Sequence, residues 1–340
     1  MLIKKITLTH IIYSIILFIV TFIILKEYNQ LFLLSDSSES NSLSIYKSMI
    51  ANDSRRYYQM YLELGDDIKN IFALVFINKN LIPPIFSLYI FNGNLDLLYI
   101  FFFISFSISI SILIHNIKYN KNIILFFLIF YPVVFSNLYS PNKEISSLIS
   151  ILFLLSYILF NKKKYLYLSI SFALLTRFEL VIVIIIYIFF KRIKNIKRSY
   201  ILLIFLMLVS FVITKIDNRG LYFLSNTGVM AFIAKLDQLG FHFLTVFLKF
   251  FMNVYSVALI PNTSRLGAIV ITLSGWYFIL LTIQIIRKKV FNLNNDIVFF
   301  ILIYIIVFTS TAFVQHRYFI ALYPLFVYLA FSKKYKKVIK

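Results

Sequence analysis

The chain contains no cysteine, which removes disulfides, thiolate metal sites and a cysteine nucleophile from consideration. It has only 7 glycines and 6 prolines in 340 residues, too few for a collagen-like or linker-rich protein. Charge is scarce, at 14% of residues, where a soluble domain carries about 25%. Acidic groups are scarcest: 13 Asp and Glu stand against 34 Lys and Arg, a net charge of +21. What remains is apolar. Hydrophobic residues make up 61% of the chain, including 39 Phe and 24 Tyr, a content that excludes disorder. One water-soluble core cannot absorb that much apolar surface, so the expected solvent is largely lipid.

A spanning helix needs about 20 apolar residues. Runs of this kind cover Ile6–Leu25, Leu95–Ile114, Ile123–Tyr139, Ile145–Phe160, Ile201–Ile216, Gly267–Ile286, Ile297–Val314 and Tyr318–Phe331. Lys4 and Lys5 precede the first, and its exit Lys26-Glu27-Tyr28-Asn29 offers no small-residue cleavage site, so it reads as an uncleaved anchor. Basic clusters set the orientation: Lys162–Lys164, Lys191 to Arg198, Arg287–Lys289 and the lysine-rich tail from Lys333 are expected on the cytoplasmic side, with both termini. Together with Lys4, Lys5, Lys118 and Lys121 on the same side, these clusters hold nearly all of the positive excess, which makes it a topology signal rather than a sign of nucleic-acid binding.

This assignment bears on Tyr165 to Phe190, an apolar run with a basic cluster at each end. One crossing would place a cluster outside. Two half-length helices meeting near Thr176-Arg177-Phe178-Glu179 keep both inside, and a broken element is therefore predicted, the alternative being one long tilted helix with an internal ion pair. Ile71–Phe91, interrupted by Asn78-Lys79-Asn80 and Pro83-Pro84, and Phe241–Ile260, with His242, Lys249 and Asn253, read as interfacial or re-entrant. The expected fold is all-α: a polytopic integral membrane protein of about 10–12 membrane helices, broken or re-entrant elements included. Residues 1–340 form one transmembrane domain, with an outer loop 26–69 carrying an amphipathic helix and an outer region 215–266.

Ionisable groups in or near a membrane are costly and functional by default. In the first outer loop, Asp53, Arg55, Arg56 and Tyr57 are close in sequence. On a helix, Asp53, Arg56 and Tyr57 share a face; this suits a general base beside cations for a diphosphate, or else a surface helix with an internal ion pair. Ser140-Pro141-Asn142-Lys143-Glu144 offers a lysine to a phosphate or is simply a capped turn. Arg177 and Glu179 sit isolated in apolar surroundings and need a partner or a wet cavity. The short turn Gln315-His316-Arg317-Tyr318 places Arg317 at the outer surface, with His316 available for proton transfer or merely part of a polar turn. Arg219 ranks lower, as scattered loop charge. No metal-ligand cluster, P-loop or dinucleotide fingerprint occurs, and no cofactor is expected.

These segments together carry a resemblance. Asp53-Ser54-Arg55-Arg56-Tyr57, Pro141-Asn142-Lys143-Glu144, Leu175-Thr176-Arg177-Phe178-Glu179 and His316-Arg317-Tyr318-Phe319 with Tyr323-Pro324 resemble multi-span glycosyltransferases that use polyprenyl-linked sugars (GT-C-like). The overall format is similar to bacterial surface-polysaccharide polymerases of the O-antigen and exopolysaccharide type. The resemblance implies catalysis by Asp53, Arg177 and Arg317, with Arg55, Arg56, Tyr57, Lys143, Glu144, Glu179, Arg219, His316 and Tyr318 binding substrate. It implies a polyprenyl-linked glycan donor and acceptor, contact with membrane lipids, a chain-length regulator as partner, and an active periplasmic face of a bacterial inner membrane. The region 215–266 is smaller than the late outer loop of such polymerases, which leaves a polyprenyl-phosphate monosaccharide as the alternative donor. A lipid-linked oligosaccharide flippase is the rival from another class, and a membrane scaffold the third.

Overall fold

A computed structural model of the chain describes residues 8–24, 26, 52–65, 68–71, 81–117, 119–193, 196–215, 233, 235–237, 239, 241–259, 266–309 and 316–332. Among them the regular structure is helical, with no strand. Three of the described helical stretches are long and apolar enough to cross a membrane: Leu95–Asn116, Lys143–Phe160 and Ile269–Lys288.

The helix α1 (Leu8–Phe18) runs on into a π-helical turn, Ile19–Ile24. Within the long first loop lies α2 (Asn52–Leu64), and α3 (Ile82–Ile90) opens at Pro83-Pro84, where the missing N–H groups belong to a helix's unpaired first turn. A turn at Asn92 and Gly93 leads to α4 (Leu95–Asn116). The turn docks on α2: Gly93 has φ +70, and a Cβ there would stand 2.6 Å from the Tyr61 ring. The Asn94 side chain caps α4, accepting from the Asp96 and Leu97 amides at 3.0 and 3.1 Å.

One span expected to be unbroken is in fact interrupted. Ile123–Tyr139 divides into α5 (Lys121–Ile129) and α6 (Pro132–Asn137). Pro132 has no N–H to continue the first helix and instead starts the second. Its hydrophobicity profile hides this, because the break costs few apolar residues. The last run, Tyr318–Phe331, stays helical throughout but tightens to a 3₁₀ turn at Ile320–Leu322. The element expected at Ile71–Phe91 is described only at Ile71 and from Leu81 on.

The centre of the bundle is α7 (Lys143–Phe160), buried at every position from Lys143 through Ser156. After a left-handed Asn161 (φ 53) the chain turns back as α8 (Lys163–Leu174), breaks, and resumes as α9 (Phe178–Arg192). The contacts along α7 fix the course of this pair. Glu144, near its start, meets Arg177; Ser150 bonds Ser169 O at 2.8 Å; and Lys191 Nζ lies 5.3 Å from the Tyr157 ring near its end. So α8 rises beside α7 to the level of Glu144, and α9 descends again. The Tyr165–Phe190 run is a hairpin, with its two basic clusters at the same end.

The remaining helices are α10 (Arg198–Lys215), α11 (His242–Leu259), α12 (Leu266–Lys288), α13 (Asp296–Thr309), α14 (His316–Phe319), the 3₁₀ turn Ile320–Leu322 and α15 (Tyr323–Phe331). Asp296 pairs with Lys191 at 3.0 Å and Arg198 at 2.5 Å, and Lys288 bonds Ser332 O at 3.0 Å. These contacts join the ends of α9, α12 and α15 to the starts of α10 and α13 at one basic end. At the opposite end, Asp96 holds Lys26 at 2.7 Å and accepts from Tyr139 at 2.5 Å. The outward faces between the ends are apolar: Leu97, Ile100, Ile104 and Ile108 on α4, and Leu203, Ile204, Met207, Leu208 and Phe211 on α10, are exposed.

The cysteine-free chain makes the hairpin directly testable. Tyr157→Cys with Lys191→Cys should be bridged within one chain by a short bismaleimide. Were residues 163–192 one straight helix, the two positions would lie roughly 40 Å apart and no bridge would form.

Candidate functional site

The site is built on the corner between α6 and α7. The Asn142 side chain accepts the Lys143 amide at 2.7 Å and donates to Asn137, whose own amide nitrogen bonds Val133 O at 3.1 Å. This corner sets Lys143 and Glu144 in the first turn of a buried helix, each only 5% exposed. A carboxylate is favoured there by the amide end of the helix. The corner is thus capped and at the same time carries two buried charges.

Each charge has neighbours from other elements. Arg177 is the residue just before α9, in extended backbone (φ −151, ψ 131). Its Nη2 is 4.0 Å from Glu144 Oε1, and its side chain is 14% exposed. Its guanidinium carbon lies 4.2 Å over the Tyr318 ring, and that of Arg317 lies 5.9 Å from the same ring. Tyr318 is positioned from below, its carbonyl accepting from Tyr304 at 2.5 Å. Lys143 lies within the electrostatic reach of Arg177, Glu144, Arg317 and Glu179, and its Nζ is 5.2 Å from the Tyr57 ring. The helix α2 closes the group, with Ser140 donating to Ser54 at 2.8 Å.

Two atoms in this cluster stand out. Glu144 Oε2 and Glu179 Oε2 are buried and have no hydrogen-bond partner among the described residues. A buried carboxylate oxygen in that state is costly, so each is suited to accept from a hydroxyl brought by a ligand. Lys143, Arg177 and Arg317 supply positive charge beside them. The arrangement can hold an anionic group and orient a polyhydroxylated one. Among the described residues, no group of three His, Asp or Glu side chains could hold a metal ion.

The structure therefore brings together Tyr57, Lys143, Glu144, Arg177, Glu179, Arg317 and Tyr318, which the sequence scatters over 262 positions between its outermost members. It separates Arg56 from Tyr57. The buried stripe of α2 is Ser54, Tyr57 and Tyr61, while Arg56 is exposed. The expected shared face of Arg56 and Tyr57 is thus corrected: the helix turns Tyr57 and Tyr61 inward and leaves Arg56 exposed. Arg55 is half-buried. Asp53 immediately precedes Ser54 on α2 and His316 begins α14, but the side chains of both lie outside the described residues, as does Arg219.

A second polar cluster was not anticipated. Asp237 receives hydrogen bonds from His242 Nδ1 at 3.1 Å, from Thr245 and from Lys249, and Lys249 also bonds Thr309 O at 3.2 Å. Burial alone would push the Asp237 carboxyl up, but His242, Lys249 and Thr245 outweigh it and hold the group below the ordinary carboxylate value. The available signal was spacing: His242, Thr245 and Lys249 recur on one face of an otherwise apolar helix.

No family model matches the chain, and no curated protein or solved structure does so.

Arg177→Ala should strand the Glu144 charge and lower unfolding free energy by about 2 kcal/mol. Adding Glu144→Gln should restore most of that, and equal losses in single and double variants by thermal unfolding would show the two groups uncoupled. Likewise, Asp237→Ala should leave Lys249 buried without its carboxylate and cost about 3–5 kcal/mol. The Asp237→Ala/Lys249→Met pair should be the more stable of the two in chemical denaturation; if it is not, the cluster does not anchor α11.

Proposed function

We propose that this chain is a polytopic inner-membrane glycosyltransferase that joins polyprenyl-diphosphate-linked glycans into a surface polysaccharide. The observation that carries the reading is the group of buried Lys143 and Glu144 with half-buried Arg177, Glu179 and Arg317 around Tyr318. The exposed apolar faces of α4 and α10 support a lipid surround, since a soluble protein rarely exposes contiguous apolar surface on this scale. The basic end then faces the cytoplasm, and the cluster faces outward.

The chemistry follows from the charges. The bond between the donor sugar's anomeric carbon and the diphosphate oxygen breaks, and the electron pair leaves with the diphosphate. Negative charge on that group grows toward the transition state. Lys143, Arg177 and Arg317 are the cations to meet it, the guanidinium groups by paired hydrogen bonds. The acceptor hydroxyl forms the new bond to the anomeric carbon and gives its proton to a carboxylate, the role expected of Asp53. The unpartnered oxygens of Glu144 and Glu179 accept from sugar hydroxyls and set the glycan's orientation. Arg177 also stacks on Tyr318, which holds its fork in one plane and limits the reorganisation needed during transfer.

The test is the polysaccharide made by a deletion strain carrying single variants. Arg317→Ala, Arg177→Ala and Asp53→Asn should each reduce polymerisation by about 100-fold or more, leaving a single repeat on the acceptor while the protein persists in the membrane. A normal ladder from all three would remove the site assignment, and complete loss of exported repeats would favour a flippase.

A further inference from the structure

At the basic end, the loop before α10 and the loop between α12 and α13 border an open cavity of about 580 Å³. Lys197, Arg198, Ser199, Lys289, Asn292 and Asn294 line it, with Phe291 and Leu293 at its side. We propose that this cavity binds the phosphodiester headgroup of an anionic phospholipid, with Lys197 and Lys289 as its cationic contacts.

The argument starts from which charges are already committed. Asp296 is held by Lys191 at 3.0 Å and Arg198 at 2.5 Å. The other donors of Arg198 go to the carbonyls of Leu293 and Asn294, at 3.4 and 2.9 Å. Arg198 thus braces one wall of the cavity. Lys197 and Lys289 are exposed and form no ion pair among the described residues. Two uncompensated ammonium groups on facing loops, beside amide and hydroxyl side chains, suit an oxyanion. The cavity also borders the start of α10, where backbone N–H groups are unpaired within the helix.

Lys289 adds a separate observation. It directly follows α12, in the left-handed region at φ 51. Comparable corners of this chain use asparagine, with Asn120 at φ 54 and Asn161 at φ 53. Glycine or asparagine would also be the easier choice at the end of a helix. A lysine there accepts backbone strain and places its charge on the cavity wall.

Apolar surface decides between a lipid and a free phosphate. Phe291 lines the cavity and is exposed, and Ile196 and Ile286, neighbours in sequence of the loop residues, are exposed as well. A phosphodiester with acyl chains can use both the ammonium groups and this margin, whereas inorganic phosphate can use only the former. The location, at the end read as cytoplasmic, is where anionic headgroups meet basic pockets between helices.

The experiment uses the full chain purified in detergent and native mass spectrometry with added palmitoyl-oleoyl phosphatidylglycerol or phosphatidylcholine. The wild type should retain phosphatidylglycerol with about tenfold or greater preference. K197Q/K289N should abolish the preference; asparagine suits the left-handed corner, so the fold is kept. K163Q/K164Q removes the same charge at the same end but outside the cavity, and should leave the preference intact. The proposal is overturned by equal retention of the two lipids, by an equal loss in K163Q/K164Q, or by displacement of phosphatidylglycerol on adding inorganic phosphate alone.

Discussion

Arg177 meets the Glu144 carboxylate on one side and the Tyr318 ring on the other, and the arrangement of the bundle depends on that double contact. A guanidinium in apolar surroundings must find a carboxylate, a ring face or water. Here the helical hairpin α8–α9 reverses where Arg177 stands, so the same contact that compensates the charge also closes the turn. It joins the hairpin to the start of α7 and to the short α14. Three segments distant in sequence are therefore held at one end by a single side chain. The Asp96 contacts with Lys26 and Tyr139 act similarly a short way along the same end.

Part of this was legible beforehand. Basic clusters at both ends of Tyr165–Phe190 indicated a reversal, and the isolated Arg177 and Glu179 marked its position. The capping residues of the Asn142 corner were also readable. Other features were not. Hydropathy averages over a window, so the interruption at Pro132 disappeared into a long apolar run, although the proline was in view. The phase of α2 could not be set by Asp53 and Tyr57 alone, because the inward choice between Tyr57 and Arg56 is made by Ser140 and Lys143 on another element. The pairing of Arg177 with Tyr318 and of Asp237 with Lys249 is tertiary, and local pattern contains no information about it.

The two ends of the bundle are built on different physical terms. One gathers buried charge that is compensated inside the protein, with a few carboxylate oxygens left open. The other pairs Lys191 and Arg198 with Asp296 and leaves further lysines, such as Lys197 and Lys289, exposed. The total of +21 conceals this division, since a single net value combines a surface property with the chemistry of a handful of buried groups.

The connections at the basic end have a further consequence. Asn120, Asn161 and Lys289 take left-handed backbone at φ 54, 53 and 51, in corners where few residues join one helix to the next. A left-handed corner tolerates neither most substitutions nor a change in loop length, because either one rotates the following helix about its axis. On that side, the spacing between helices is therefore fixed in register. Divergent forms of this chain would keep their alignment at these corners even where other connections had drifted beyond comparison, so the corners serve as fiducial marks for recognising kinship.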